Sequence, residues 1–204
     1  MDFQKYLECN FKYEEPIFAE ELKQKLNANP NTIRQYLKKA TDSGVIVRYA
    51  LKNGIYYKPN PNALFRSSLN LYDVIKKKYL FDQNTNRIGY ITGLSFANEL
   101  RLTTQNALAY EIVTNRETMR SRKVLYGKNT VFLKKPRFRV NNANYKLLQV
   151  FDLVSNFELY CDVTMEESME KILDYLKDVK ISKGRIKKML IFLSRERSVI
   201  YLQE

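Results

Sequence analysis

The stretch from Asn29 to Tyr57 constrains the fold more than any other part of the chain. Asn29 is a residue type whose side chain caps helix N-termini, and Pro30 suits the first helical position because its missing N–H has no partner there. Ile33, Tyr36, Leu37 and Ala40 then fall at i, i+3, i+4 and i+7, which puts them on one helix face. Gly44, after Ser43, is placed to end that helix. The β-rich run Val45–Leu51 follows, then Lys52-Asn53-Gly54, then Ile55-Tyr56-Tyr57. Asn-Gly between two such runs predicts a hairpin closed by a type I′ turn, in which both central residues need positive φ.

Upstream of Asn29 the pattern is helical. Phe3, Leu7 and Phe11 recur one turn apart over residues 2–11. After Pro16, the residues Phe18, Leu22 and Leu26 keep to one face, and Asn27-Ala28-Asn29 makes a short polar turn. Three short helices and a hairpin describe a winged helix-turn-helix over residues 1–60, with the third helix in the major groove. That helix's other face carries Asn31, Thr32, Arg34, Gln35, Lys38 and Lys39, side chains suited to base edges and phosphates. The wing, through Arg48, Lys52, Asn53 and Lys58, is expected to lie along the backbone or minor groove. The same face would also serve as an ordinary solvated surface, and some winged helices bind protein instead of DNA.

Charge sharpens this reading. The chain of 204 residues has a formal net charge of +13 and no histidine. A positive balance of this size favours a polyanionic partner. Residues 1–60 carry 10 basic and 7 acidic groups, 61–140 carry 15 and 5, and 141–204 carry 10 and 10. The excess therefore sits in the middle of the chain, outside the winged-helix segment.

The missing histidines exclude Ser-His-Asp and Cys-His nucleophiles and any zinc site that needs imidazole. The two cysteines, Cys9 and Cys161, cannot build a disulfide framework, and a reducing cytoplasm is the simplest expectation. No run approaches the roughly 18 apolar residues of a membrane span. Gly127-Lys128-Asn129-Thr130 lacks the upstream glycine of a P-loop and reads as a hairpin turn. Ser168-Met169-Glu170-Lys171 lies mid-helix beside further glutamates, where Ser-x-x-Lys arises by chance. A binding protein is expected, without catalytic residues, cofactor, metal, membrane or small-molecule substrate.

Pro59-Asn60-Pro61-Asn62 closes the first module. Residues 61–87 form a connector, with one helix expected over 63–81 on the stripe Phe65, Leu69, Tyr72, Ile75 and Tyr79, and a polar link at 82–87. Residues 88–204 read as a second, α+β domain. In it, residues 89–100 look like a turn entering a short helix that Thr92 could cap. Strands are expected at 110–114, 123–126, 130–133 and 137–140, forming a small antiparallel sheet. Helices are expected at 145–157, 165–179 and 182–193, and near 195–203.

Within this second domain the segment Tyr90-Ile91-Thr92-Gly93-Leu94-Ser95-Phe96-Ala97-Asn98-Glu99-Leu100-Arg101-Leu102-Thr103-Thr104-Gln105 resembles the AbiEi-like antitoxins of type IV toxin–antitoxin systems. The likeness continues in Ile112-Val113-Thr114-Asn115 and Leu147-Leu148-Gln149-Val150-Phe151-Asp152, and in the winged-helix ending from Gly44 to Pro59. It spans roughly residues 15–195, although its sharp part is short and made of largely structural residue types. The resemblance implies an antitoxin encoded beside a nucleotidyltransferase toxin. Its winged helix would bind operator DNA at inverted repeats and repress its own promoter. Its second domain would counter the toxin, without the need for a stable complex. The chain lacks a pair of acidic residues separated by one position, and it lacks a Gly-Ser dipeptide, both of which such toxins use. It is therefore not expected to be the toxin itself. A protein-interaction module, or a plain winged-helix regulator without a toxin partner, is the alternative.

The basic excess of the second domain includes Arg101, Arg116, Arg120, Arg122, Lys134, Arg137 and Arg139. Paired strands could gather Arg122, Lys134, Arg137 and Arg139 into one patch facing DNA, RNA or an acidic protein. A charged sheet edge that discourages edge-to-edge pairing would carry the same residues.

Overall fold

A computed structural model describes residues 3–179 and divides the chain into two units. The first comprises residues 1–77 together with 125–128, and the second comprises 78–124 and residues from 129 onward. The boundary falls inside the 61–87 connector. The helices expected at 182–193 and 195–203 lie outside the described residues.

The first unit contains α1 (Phe3–Asn10), β1 (Ile17–Phe18), α2 (Ala19–Lys25), α3 (Pro30–Asp42), β2 (Val47–Arg48), β3 (Ile55–Tyr57) and α4 (Leu71–Ile75). Its helix starts and stops follow from local chemistry. The Asn29 side chain accepts from the Asn31 N–H, and Pro30 opens α3. Asn27, just beyond α2, takes φ +44°, a left-handed position that asparagine tolerates. At the other end of α3, Gly44 takes φ +75°, its N–H donates to Thr41 O and that of Val45 donates to Ala40 O. This 6→1 and 5→2 pair is a Schellman ending. Ile33, Leu37 and Ala40 of α3 are buried against Phe3, Leu7, Phe11, Ile17, Leu22 and Ile46. Each of the larger aliphatic side chains contributes about 1.5–3 kcal/mol by leaving water.

β1, β3 and β2 form an antiparallel sheet in that order, with Phe18 opposite Ile55 and Val47 opposite Tyr57. The wing differs from the expected type I′ hairpin. Tyr49 N–H donates to Ile55 O, so residues 50–54 form the loop, and of the Asn53–Gly54 pair only Gly54 takes positive φ. A longer loop does not need the two left-handed residues of a two-residue turn.

The connector helix is also shorter than expected. α4 begins at Leu71, with Asn70 as its cap, and a π-helical turn continues it over Lys76–Leu80. Leu69, Ile75 and Tyr79 of the anticipated stripe are buried, whereas Phe65 is 87% exposed. Leu64 and Phe65 gain no packing for an apolar face over residues 63–68, and a short helix in water is marginal without it.

The second unit contains β4 (Gly89–Thr92), α5 (Leu94–Glu99), β5 (Ala109–Thr114), β6 (Ser121–Tyr126) apart from its last two residues, β7 (Asn129–Lys134), α6 (Tyr145–Ser155), α7 (Phe157–Tyr160) and α8 (Met165–Tyr175). The sheet order is β4-β5-β7-β6. β4 pairs antiparallel to β5, and β5 pairs parallel to β7. The α+β class and the helix-turn-helix region stand as expected, while this second sheet is mixed. Residues 137–140 are not a strand. β4 stands where a turn is expected, and Thr92 is its last, buried residue, not a helix cap. The cap position of α5 is Gly93, at φ +70°. α8 begins with the capping box that Thr164 and Glu167 form. Phe96, Leu102, Val150, Leu153 and Ile172 lie at the centre of the helical core, and Tyr90, Val113 and Val140 make a smaller cluster.

Candidate nucleic-acid interface and a basic cleft

Burial of Ile33, Leu37 and Ala40 turns the opposite face of α3 outward. Asn31, Arg34, Gln35, Lys38 and Lys39 are exposed, and Thr32 is half-buried. Asn31 Oδ1 accepts from Arg34 Nη1 at 3.2 Å, which steadies the guanidinium on the helix surface. The face presents amide, guanidinium and ammonium groups together, as base-edge and phosphate contacts require.

The wing residues divide. Arg48 and Asn53 are exposed. Lys52 is half-buried; its ammonium donates to Leu125 O at 3.0 Å and sits 4.7 Å from the Tyr126 ring centre, all within the first unit. Lys58 is turned inward. It is 8% exposed, and its ammonium donates to Phe11 O at 2.9 Å and to Glu8 O at 3.3 Å, against the Tyr13 ring. Those carbonyls end α1, where a cation complements the helix dipole. Lys58 is thus engaged in closing the end of α1 instead of standing exposed on the wing.

The expected single patch of the second unit is also split. Arg122 pairs with Glu117 at 2.7 Å, and Lys134 pairs with Glu111. Arg101, Arg116 and Arg139 are exposed and stand apart from the cleft described next. Arg101 sits at φ +56°, and its carbonyl accepts from Lys171.

Arg120, Lys134 and Arg137 do come together, with Lys135, around a cleft of about 610 Å³ in the second unit. Its apolar wall includes Val113, Phe138, Leu148 and Phe151. At its inner side the Tyr90 hydroxyl donates to Asp152 Oδ2 at 2.8 Å. Burial pushes the Asp152 carboxyl above the ordinary aspartate range, against the pull of Tyr90 and of the Arg137 charge. The Tyr90 hydroxyl is raised as well, first by burial and then by the Asp152 charge. Burial works against the Lys134 ammonium, but the hydrogen bond and charge of Glu111 outweigh it and hold its pKa above the usual value. The Tyr160 hydroxyl reaches the same Glu111 oxygen at 3.5 Å. This is a cationic rim over a half-buried acid and its buried phenol partner, a layout for binding an anion that also offers a hydrogen-bond donor.

Sequence reading named Arg120, Lys134 and Arg137 but not the cleft, Tyr90, Phe138 or Asp152 as site residues. The available signal was the pair of segments carrying the AbiEi-like resemblance. Tyr90 opens one and Asp152 closes another, and the structure brings them into hydrogen-bond contact. Other residues of those segments are structural. Asp162 accepts from Thr103, Thr104 and Gln105, and buried Gln149 donates to Ile91 O while accepting from Tyr175.

Among the described residues no group of three or more acidic or cysteine side chains could hold a metal ion, and no helix is long and apolar enough to cross a membrane. Comparison with protein-family models finds no match to this chain, and comparison with curated proteins finds none either.

Proposed function

We propose that the chain is a DNA-binding antitoxin of the AbiEi-like type IV kind. In this reading it binds inverted repeats in its own promoter through α3 and counters a nucleotidyltransferase toxin through its second unit. The observation that carries the DNA-binding part is the α3 surface. A helix capped at both ends buries one face and exposes Asn31, Arg34, Gln35, Lys38 and Lys39 on the other. Support for the toxin partner is the sequence resemblance alone. Arg48 and Asn53 remain the accessible wing contacts, since Lys52 and Lys58 are engaged within the unit.

The test is a mobility shift with the DNA upstream of the protein's own gene at about 150 mM salt, where nonspecific phosphate contacts are weakened. The wild type is expected to shift specifically and an Arg34→Glu/Lys38→Glu variant is not. Unchanged binding by that variant removes α3 from the interface. Co-expression with a neighbouring nucleotidyltransferase tests the second part, with restored growth expected. Rescue without any specific shift would favour the protein-interaction reading. Exposed Leu64 (96%) and Phe65 (87%), beside the winged helix in sequence, are the observation that keeps this second reading in view.

A further inference from the structure

The cleft of the second unit is not needed for DNA reading by α3, and its chemistry calls for a ligand of its own. Its volume, about 610 Å³, falls in the range of small-ligand sites. Three kinds of group converge on it. Arg120, Lys135 and Arg137 form its cationic rim, and no salt bridge engages them among the described residues. The Phe138 ring is 69% exposed at the same cleft, an apolar surface left in water. Asp152, half-buried at the inner wall, has one carboxylate oxygen accepting from Tyr90 and the other without a hydrogen bond among the described residues.

Each group selects part of a ligand. Guanidinium groups match phosphate oxygens with two parallel N–H donors. An exposed phenyl ring beside them offers a stacking platform for a planar ring. A carboxylate accepts only from a group that carries N–H or O–H, such as a base amino group or a ribose hydroxyl. An acidic peptide would satisfy the rim but would leave Phe138 without a stacking partner, and it would bring a like charge towards Asp152.

We propose that this cleft binds a nucleotide, with its phosphate on Arg120, Lys135 and Arg137, its base against Phe138 and a base or sugar donor on Asp152. The nucleotide is either free or the terminal unit of a single strand. This does not rest on the α3 assignment.

The experiment is calorimetric titration of the full chain with each of the four ribonucleoside triphosphates, with inorganic tripolyphosphate, with a ten-nucleotide single-stranded RNA and with a glutamate-rich peptide. At least one nucleotide is expected to bind with a dissociation constant below about 1 mM, and tripolyphosphate about tenfold more weakly because it lacks the stacked base. Phe138→Ala is expected to weaken the nucleotide about tenfold, and Arg137→Ala by a similar factor. Both side chains are exposed, so neither substitution removes core packing. Arg34→Glu/Lys38→Glu is expected to leave nucleotide binding unchanged. If the RNA binds at least about tenfold tighter than any mononucleotide, and a mononucleotide displaces it, the source is a strand end; otherwise it is the free nucleotide. Absence of nucleotide and RNA binding overturns the proposal. So does peptide or tripolyphosphate binding as tight as the nucleotide's and indifferent to Phe138→Ala.

Discussion

The two units use their cations in opposite ways. In the first, several lysines hold the fold together. Lys58 closes the end of α1, Lys52 is bound to Leu125 O, and Lys77 joins Glu15 at 2.7 Å while lying 4.9 Å from the Phe11 ring centre. The exposed face of α3 keeps its own cations free of such duties. In the second unit Arg122, Lys134, Lys146 and Lys177 are each paired with a carboxylate, Arg120, Lys135 and Arg137 collect at one cleft, and Arg101, Arg116 and Arg139 are exposed apart from it. Charge counted along a sequence is therefore not charge available to a partner. The modest excess of residues 1–60 overstates the wing and understates α3, and the large excess of 61–140 contains one focused site.

Four substitutions or titrations can break or sharpen this contrast. The largest effect is expected at Gly89. A Cβ there would collide with Tyr79 O and lie 2.7 Å from Val113 O, both backbone atoms that cannot swing aside. Gly89→Ala should destabilise the second unit by about 3 kcal/mol, as overpacking of a fixed backbone does. Chemical denaturation should show the loss, with the α3 face still able to bind DNA in the remaining folded protein. Simultaneous loss of DNA binding at low denaturant would show that the two units do not act separately.

Lys58→Ala comes next. It strips the donor from two carbonyls at the end of α1 and should cost about 1–3 kcal/mol of stability. The salt dependence of DNA binding should stay at the wild-type slope, whereas Lys38→Ala should reduce the slope by about one phosphate contact. A reduced slope in the Lys58 variant would return that lysine to the interface.

Asp162 is held down to about pKa 2, mainly by the Gln105 side chain, with the Thr104 N–H and the Thr103 hydroxyl adding to it. A lowered carboxylate pKa stabilises the fold above the ordinary value of 3.8, and that contribution is lost as pH falls through about 2. An NMR titration of the Asp162 carboxyl should show a midpoint near 2, moving upward in Gln105→Ala. A wild-type midpoint at the ordinary aspartate value would remove the tie between residues 103–105 and 162.

The smallest effect is expected at Tyr49. Its buried hydroxyl has no hydrogen-bond partner among the described residues, and burial raises its pKa. Tyr49→Phe removes an unsatisfied polar group and should leave stability unchanged or raise it by up to about 1 kcal/mol. A loss of stability on denaturation would reveal a partner for the hydroxyl.

How much could be read from the sequence depended on the range of the determining interactions. α3 was legible because its cap, its apolar period and its Gly44 ending are all local. β1 was missed, since Ile17 and Phe18 become a strand only through Tyr56 and Ile55, far along the chain. β4 is buried throughout, so it lacks the alternation that marks a strand, and its flanking glycines resemble a turn. The apolar period of 63–70 suggested a helix that packing does not support. The cleft was hidden because its parts come from β4, the loop before β6, β7, the loop after β7 and α6. Tyr90 and Asp152 become partners only once that sheet and that helix pack together.

The central claim is that DNA reading resides on α3 and not on the basic cleft. Fluorescence anisotropy with labelled upstream DNA at about 150 mM salt tests it directly, comparing wild type, Arg34→Glu/Lys38→Glu and Arg120→Ala/Arg137→Ala. The account predicts that the α3 variant loses about a hundredfold or more in affinity, from two reversed contacts of 1–3 kcal/mol each, while the cleft variant stays within about threefold of wild type. The reverse order, with α3 dispensable and the cleft variant unable to bind, would contradict it.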